Sequence, residues 1–152
     1  LVLVKKSPVV VALDNTGEVS RLEAKVTDLQ IAAAAREYIK YRYSWNSSTI
    51  SDSLAKAKFF VLPSLASAFE RSMADVQKFV REKKVTQRVY AKSVTVDLKE
   101  KKITILADRI TEFDQLKAAT EMRLTLSFTV DDRTVVNPWG IYITKESEEA
   151  GR

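Results

Sequence analysis

Apolar positions recur at helical spacing in the first half of the chain and at every second residue in the second half. Ile31, Ala34, Ala35, Tyr38, Tyr41, Arg42 and Trp45 share one face at a period of three to four residues. They predict a helix from an N-cap at Asp28 to the polar loop Asn46-Ser47-Ser48. Its face is small in the first two turns and aromatic in the last two, and small residues let another element approach closely. A second helix is predicted from near Ser51 to Phe60. Pro63 stops it, because proline lacks an N–H and disfavours helix in the residue before it. The same Pro63 can open the next helix. Leu65, Phe69, Met73, Val76 and Val80 form that helix's stripe, with Phe79 beside them. It leaves through Arg81-Glu82-Lys83-Lys84, cations where the helix dipole favours them.

After Val85 the period becomes two. Val85, Val89 and Ala91 share one parity, and Val94, Val96 and Leu98 share the other. The switch near Lys92-Ser93 predicts a bulge or sharp bend. Lys99–Lys102 reads as a hairpin turn, Ile103, Ile105 and Ala107 as the next strand, and Asp114–Ala119 as a connection. Met122, Leu124, Leu126, Phe128 and Val130 alternate with polar residues, the pattern of a strand with one wet face. Thr134–Val136 and Ile141–Thr144 read as a last strand split by Asn137–Gly140, and Glu146–Arg152 as a frayed end. Ahead of the helices, Val9–Leu13, the turn Asp14-Asn15-Thr16-Gly17 and Glu18–Leu22 read as a strand-turn-strand. Helices followed by strands predict an α+β fold of three helices on one face of a curved, four-stranded antiparallel sheet. The expected division is a lead-in over 1–25, one α+β domain over 26–148 and a tail over 149–152.

Composition narrows the chemistry. The 152 residues suffice for one domain with a real core. They include no Cys and no His, which excludes thiol chemistry and removes the commonest general base and metal ligand. No catalytic residue, metal site or cofactor is therefore assigned. The carboxylate pairs Glu112 with Asp114 and Asp131 with Asp132 lack a neighbouring acid or base in the sequence pattern and read as solvated charge. No apolar run approaches the roughly 20 residues of a membrane helix. The net charge of +5 is uneven, since Lys78–Lys102 holds nine basic residues against three acidic ones. That run is either a phosphate- or headgroup-binding patch or a solvated helix end and hairpin turn.

Four segments, in order, resemble one family. Val9–Leu13 with Asp14-Asn15-Thr16-Gly17-Glu18-Val19 is similar to its strand-turn-strand after the membrane segment. Tyr38-Ile39-Lys40-Tyr41-Arg42-Tyr43-Ser44-Trp45-Asn46 is similar to the end of its long first helix, with Tyr43 and Asn46 where relatives often have Glu and Asp. Leu54–Leu65 is similar to its helix-proline-helix junction, and Asn137-Pro138-Trp139-Gly140-Ile141 to its Asn-Pro-X-Gly-apolar motif. The chain thus resembles the periplasmic domain of the VirB-eight family, with the TraE-like proteins of conjugation, over Pro8 to Glu148. The resemblance implies a nuclear-transport-factor-two-like cone of helices against a strongly bent sheet. It implies a non-enzymatic assembly subunit of a type IV secretion channel on the periplasmic face of the bacterial inner membrane. The chain opens at Leu1 without Met, and the anchoring helix is expected upstream. The implied partners are a second copy, in a weak homodimer, and other channel subunits.

Two candidate sites follow. Asn137, Pro138, Trp139 and Gly140 fit a type I turn, with Asn first, Pro second and Gly fourth. Trp139 either folds back onto the core or meets a partner. Ala34, Ala35, Tyr38, Tyr41, Arg42 and Trp45 form the candidate self-association face, and part of it must be core. A cone-shaped small-molecule-binding domain or enzyme, and a nucleic-acid-binding module using Lys78–Lys102, stand as alternatives.

Overall fold

The structure is a computed structural model that describes residues 9–13, 19–23 and 26–149. Strands β1 (Val9–Leu13) and β2 (Val19–Glu23) pair antiparallel, Val9 opposite Glu23 and Leu13 opposite Val19. They form a two-stranded sheet of their own. The turn expected at Asp14–Gly17 lies outside the described residues.

Helix α1 (Asp28–Tyr43) is capped one residue earlier than expected, because Thr27 and not Asp28 is the N-cap. The Thr27 hydroxyl accepts from the Gln30 N–H (3.2 Å), and the Gln30 side-chain oxygen accepts from the Thr27 N–H (3.0 Å). This reciprocal box satisfies two free donors at once and leaves Asp28 in the first turn, where the dipole favours it. Helix α2 (Ile50–Lys58) is followed by a short 3-10 turn at Pro63–Leu65 and helix α3 (Ala66–Lys83). Lys84 ends α3 in the left-handed region (φ 52°), its N–H donating to the Val80 carbonyl.

Strands β3 (Thr86–Asp97), β4 (Lys102–Phe113), β5 (Leu116–Val130) and β6 (Ile141–Glu149) form an antiparallel sheet in the order β3-β4-β5-β6. The register of β3 breaks between Ala91 and Ser93, where the parity switch predicted a bulge. A second break puts Lys145 opposite Ser127 but Ile143 opposite Phe128, so Thr144 is an extra residue in β6.

The expected cone is overturned. The sheet is open, with β3 and β6 as unjoined edges, and it neither closes nor curls. Closure requires the two outer strands to meet. Here the helices fill one face instead; at the β4–β5 hairpin Phe113 meets Phe79 of α3 edge-on at 6.3 Å and stays partly exposed, and Leu116 is exposed.

Two local expectations also change. Asp114–Ala119 is not a connection. Asp114 (φ 52°) and Gln115 (φ 63°) alone make a two-residue hairpin turn, and β5 begins at Leu116. Thr134–Val136 is not strand but part of a loop, and β6 instead continues through the supposedly frayed Glu146–Glu149, paired with Arg123–Leu126.

The core joins α1 to the sheet. Ile31, Ala34, Ala35, Tyr38 and Ile39 meet Ile103, Ile105, Ala107, Met122, Leu124 and Leu126 in one buried cluster. A second cluster of Trp45, Ile50, Leu54, Met73, Val80 and Val85 ties α2 and α3 together beneath the end of α1.

Candidate functional site: a bracketed turn and a polar groove

The Asn137–Gly140 turn is built on a buried amide. Asn137 is 0% exposed. Its side-chain nitrogen donates to the carbonyls of Phe59 (3.0 Å) and Ile141 (2.9 Å), and its side-chain oxygen accepts from the Gly140 N–H (3.1 Å). One residue thus joins the end of α2, the turn and the start of β6. Its backbone is held as well. Thr134 N–H donates to the Asn137 carbonyl (3.0 Å), and Asn137 N–H donates to the Thr134 hydroxyl (2.9 Å). Gly140 is required by geometry, with φ at +68° and an added Cβ only 2.6 Å from the Asp131 carbonyl oxygen.

With the polar groups turned inward, the apolar ones point out. Val135 is 99% exposed and Val136 half exposed, and Pro138 lies on the same loop in solvent. Trp139 is half-buried against the main core. Of the four expected turn residues, then, Asn137 and Gly140 are internal supports, and Pro138 and part of Trp139 offer surface. The exposed Val135-Val136 pair was missed, because two β-branched residues beside a polar run read as strand.

The aromatic end of α1 is arranged the opposite way. Ala34, Ala35 and Tyr38 are each 1% exposed, and Trp45 is buried. Trp45 donates its ring N–H to the Arg42 carbonyl (2.9 Å), and its backbone pairs with Gln87 of β3. Tyr41 keeps an outer face, with the ammonium groups of Lys40 and Lys56 over its ring at 5.2 and 5.4 Å. Of the expected self-association set, Tyr41 and Arg42 retain surface.

Glu146 organises the remaining polar groups. The Tyr38 hydroxyl donates to one carboxylate oxygen (2.6 Å), the Tyr43 hydroxyl donates to the other, and the Arg42 guanidinium lies 3.5 Å away. The Thr144 bulge explains why Glu146 is there. Ile143 faces the helices, and strict alternation would turn Lys145 toward α1, but the extra residue turns Glu146 instead. Burial, reinforced by the Glu146 charge, raises the phenol pKa of Tyr38 well above its usual value and that of Tyr43 likewise. Both phenols stay protonated donors at neutral pH. Arg42 also sits over the Tyr43 ring at 4.3 Å.

Tyr38, Arg42 and Glu146 floor an open groove of about 430 Å³. One wall is Leu65, Phe69 and Met73, and the other is Thr144–Glu146 of β6. The arrangement holds charges and donors in place, and among the described residues no three carboxylates gather to hold a metal ion. The basic run does not make one patch. Lys78, Arg81, Lys83 and Lys84 lie at one end of β3 and Lys99, Lys101 and Lys102 at the other, about 40 Å apart for a strand of 12 residues. Arg88 and Lys92 lie between them on β3, and Lys92 is paired with Asp108 (3.2 Å) and Glu121.

The family profile described as VirB8 protein matches residues 1–148. A TraE protein in complex with 2-(2-furyl)isonicotinic acid superposes with a TM-score of 0.69 at 15% identity, covering 84% of this chain and 99% of that one. The Agrobacterium tumefaciens VirB8 protein gives 0.69 at 15% identity, over 82% and 93% of the two chains. A TrwG component of a type IV secretion system from Bartonella birtlesii gives 0.71 at 12% identity, over 84% and 95%. No curated protein matches the chain.

Proposed function

The chain belongs to the VirB8 protein family, the structural, non-catalytic assembly subunits of type IV secretion channels, and from that premise we propose how it joins its neighbours. The domain stands on the periplasmic face of the bacterial inner membrane and binds other subunits of the channel. It docks one of them through the outer surface of the bracketed turn, formed by Val135, Val136, Pro138 and the exposed part of Trp139. Asn137 and Gly140 hold that surface in place. Copies of the chain also associate weakly with one another, as a homodimer, along the side where Tyr41 and Arg42 emerge from α1.

The observation that supports the docking reading is the inversion at the turn. A fully buried amide holds a loop on which a valine is 99% exposed. Nothing in the monomer is gained by leaving two β-branched side chains in water, whereas burial against a partner returns about 1.5–3 kcal/mol for each large apolar side chain. A rigid loop also loses little entropy on binding. The test is the double variant Val135→Asp with Val136→Asp, assayed for secretion or conjugative transfer and for folding. Loss of transfer with an unchanged melting curve supports the docking surface, and normal transfer removes it.

The split basic run weighs against reading this domain as a nucleic-acid clamp. Phosphate binding draws on several cations along one continuous track. The two clusters here stand at opposite ends of a strand.

A further inference from the structure

Strand β1 reads Val9-Val10-Val11-Ala12-Leu13, apolar at every position. A strand of that kind suits burial on both faces, unlike β2, where Ser20, Arg21 and Glu23 interrupt the apolar residues. Yet among the described residues β1 pairs only with β2, in a sheet of two strands, and no strand lies along its other edge. A lone two-stranded hairpin is marginally stable in water.

The main sheet has two outer edges, and they differ. On β3 the backbone of Trp45 pairs with Gln87, and the Ser44 hydroxyl accepts from the Val89 N–H (2.9 Å). Farther along, Lys92 bulges out of β3. Capping, a bulge and an edge lysine are the devices that stop strands from adding. On β6 the outer edge is taken only at Ile143. Its N–H donates to the Phe60 carbonyl (2.6 Å), and its carbonyl accepts from the Leu62 N–H (3.1 Å). Pro63 then turns the chain away into α3. Among the described residues no strand lies along the outer edge of β6 from Thr144 to Glu149. The groove walled by Leu65, Phe69 and Met73 runs beside its first half.

We propose that the β1–β2 hairpin of a second copy adds to this edge, with β1 against β6 and one of its apolar faces in the groove. The occupant comes from another copy because β1 joins no strand of its own chain's main sheet. The five residues of β1 match the six free positions of β6. Glu146 is already held by Tyr38, Tyr43 and Arg42, but at the far end of the edge Glu148 and Glu149, paired with Arg109 and Arg123, keep exposed carboxylate surface, while Lys5 and Lys6 precede β1 and Arg21 stands opposite Val11 in the hairpin. The contact is heterologous, a hairpin of one copy on the edge of the next, so it either closes reciprocally as an exchanged pair or propagates. This inference rests on the self-association reading above and extends that contact from Arg42 along the groove to the β6 edge.

The absence of Cys makes the test clean. Val11→Cys is placed in one full-length chain and Lys145→Cys or Ser147→Cys in another, and the two are mixed under mild oxidation. A disulfide forms only when the two Cα atoms come within about 7 Å. The expected result is a mixed cross-linked dimer with at least one of the β6 variants, and none with Val135→Cys as control. Cross-linking no faster than that control overturns the proposal. So does a disulfide within one chain carrying both Val11→Cys and Ser147→Cys, since the hairpin then acts in cis. Sedimentation of Val11→Lys, on a strand outside the main sheet, is expected to weaken the dimer about tenfold or more. A wild-type dimer that Val11→Lys does not weaken sinks the hairpin exchange and leaves self-association standing. A chain that stays monomeric at high concentration sinks both.

Discussion

The aromatic end of α1 and the Asn137–Gly140 turn look alike in sequence, since each sets large aromatic residues among polar ones, but the fold uses them in opposite ways. At the helix end the aromatics go inside. Tyr38 and Trp45 are buried, and their polar atoms are matched by Glu146 and the Arg42 carbonyl. At the turn the polar group goes inside. Asn137 is buried with every side-chain bond made internally, and Val135 is left in water. The difference comes from what the backbone needs. A helix satisfies its own backbone groups and can turn an apolar face to the sheet. A loop crossing the core cannot, so an amide side chain must satisfy the Phe59 and Ile141 carbonyls and the Gly140 N–H. One region is therefore committed to the monomer, and the other shows apolar surface that the monomer does not use.

The sharpest way to break this contrast is Asn137→Ala. It takes the amide donor from the Phe59 and Ile141 carbonyls and leaves the Gly140 N–H with only its longer bond to the Asn137 backbone carbonyl (3.3 Å), at about 1–3 kcal/mol for each group left unrelieved. We expect a total loss of about 3–5 kcal/mol and a melting temperature lower by roughly 10 °C. A fall of only a degree or two would show that the turn does not depend on its amide.

Gly140→Ala is expected to cost about 1–3 kcal/mol, because it forces a side chain into the left-handed region and against the Asp131 carbonyl. Chemical denaturation reads it directly. An unchanged midpoint would mean that the turn can relax, and the surface it presents would not be rigid.

Tyr38→Phe probes the helix end, with an expected loss of about 1.5–2 kcal/mol for a hydrogen bond to a carboxylate. Its pH dependence sharpens the comparison. Both phenols have raised folded-state pKa values. Their contribution is therefore complete below the unfolded tyrosine pKa of about 10 and is lost as pH rises beyond it, where the unfolded chain releases protons that the folded one retains. We expect stability to fall above about pH 10 in the parent and less steeply in Tyr38→Phe, as measured by urea titrations across that range. Equal slopes would place the alkaline sensitivity elsewhere.

Much of this was legible in the sequence because it depends on neighbours along the chain. The three helices, the Pro63 junction and the β3 bulge at the Lys92 parity switch all follow from local period and punctuation. What stayed hidden depends on long-range geometry. Glu146 reads as part of a frayed end because its place under Tyr38 and Tyr43 comes from a bulge that no residue type announces. The Asp114-Gln115 turn lacks the glycine that usually marks such a hairpin. Val135 and Val136 read as strand until Thr134 and Asn137 are seen to bond each other across them. The openness of the sheet is likewise invisible in alternation, which specifies the faces of strands but not whether the outer two meet.

The central claim is that the outer face of the turn serves assembly and not folding. It is tested most directly by replacing both Val135 and Val136 with Asp in the full-length protein and measuring thermal stability and transfer in the same strain background. The expected result is a melting temperature within about 2 °C of the parent, as for surface substitutions away from structural features, together with loss of secretion or conjugative transfer. Transfer at the parental level, or a melting temperature lower by 5 °C or more (roughly 2 kcal/mol at this size), would contradict it.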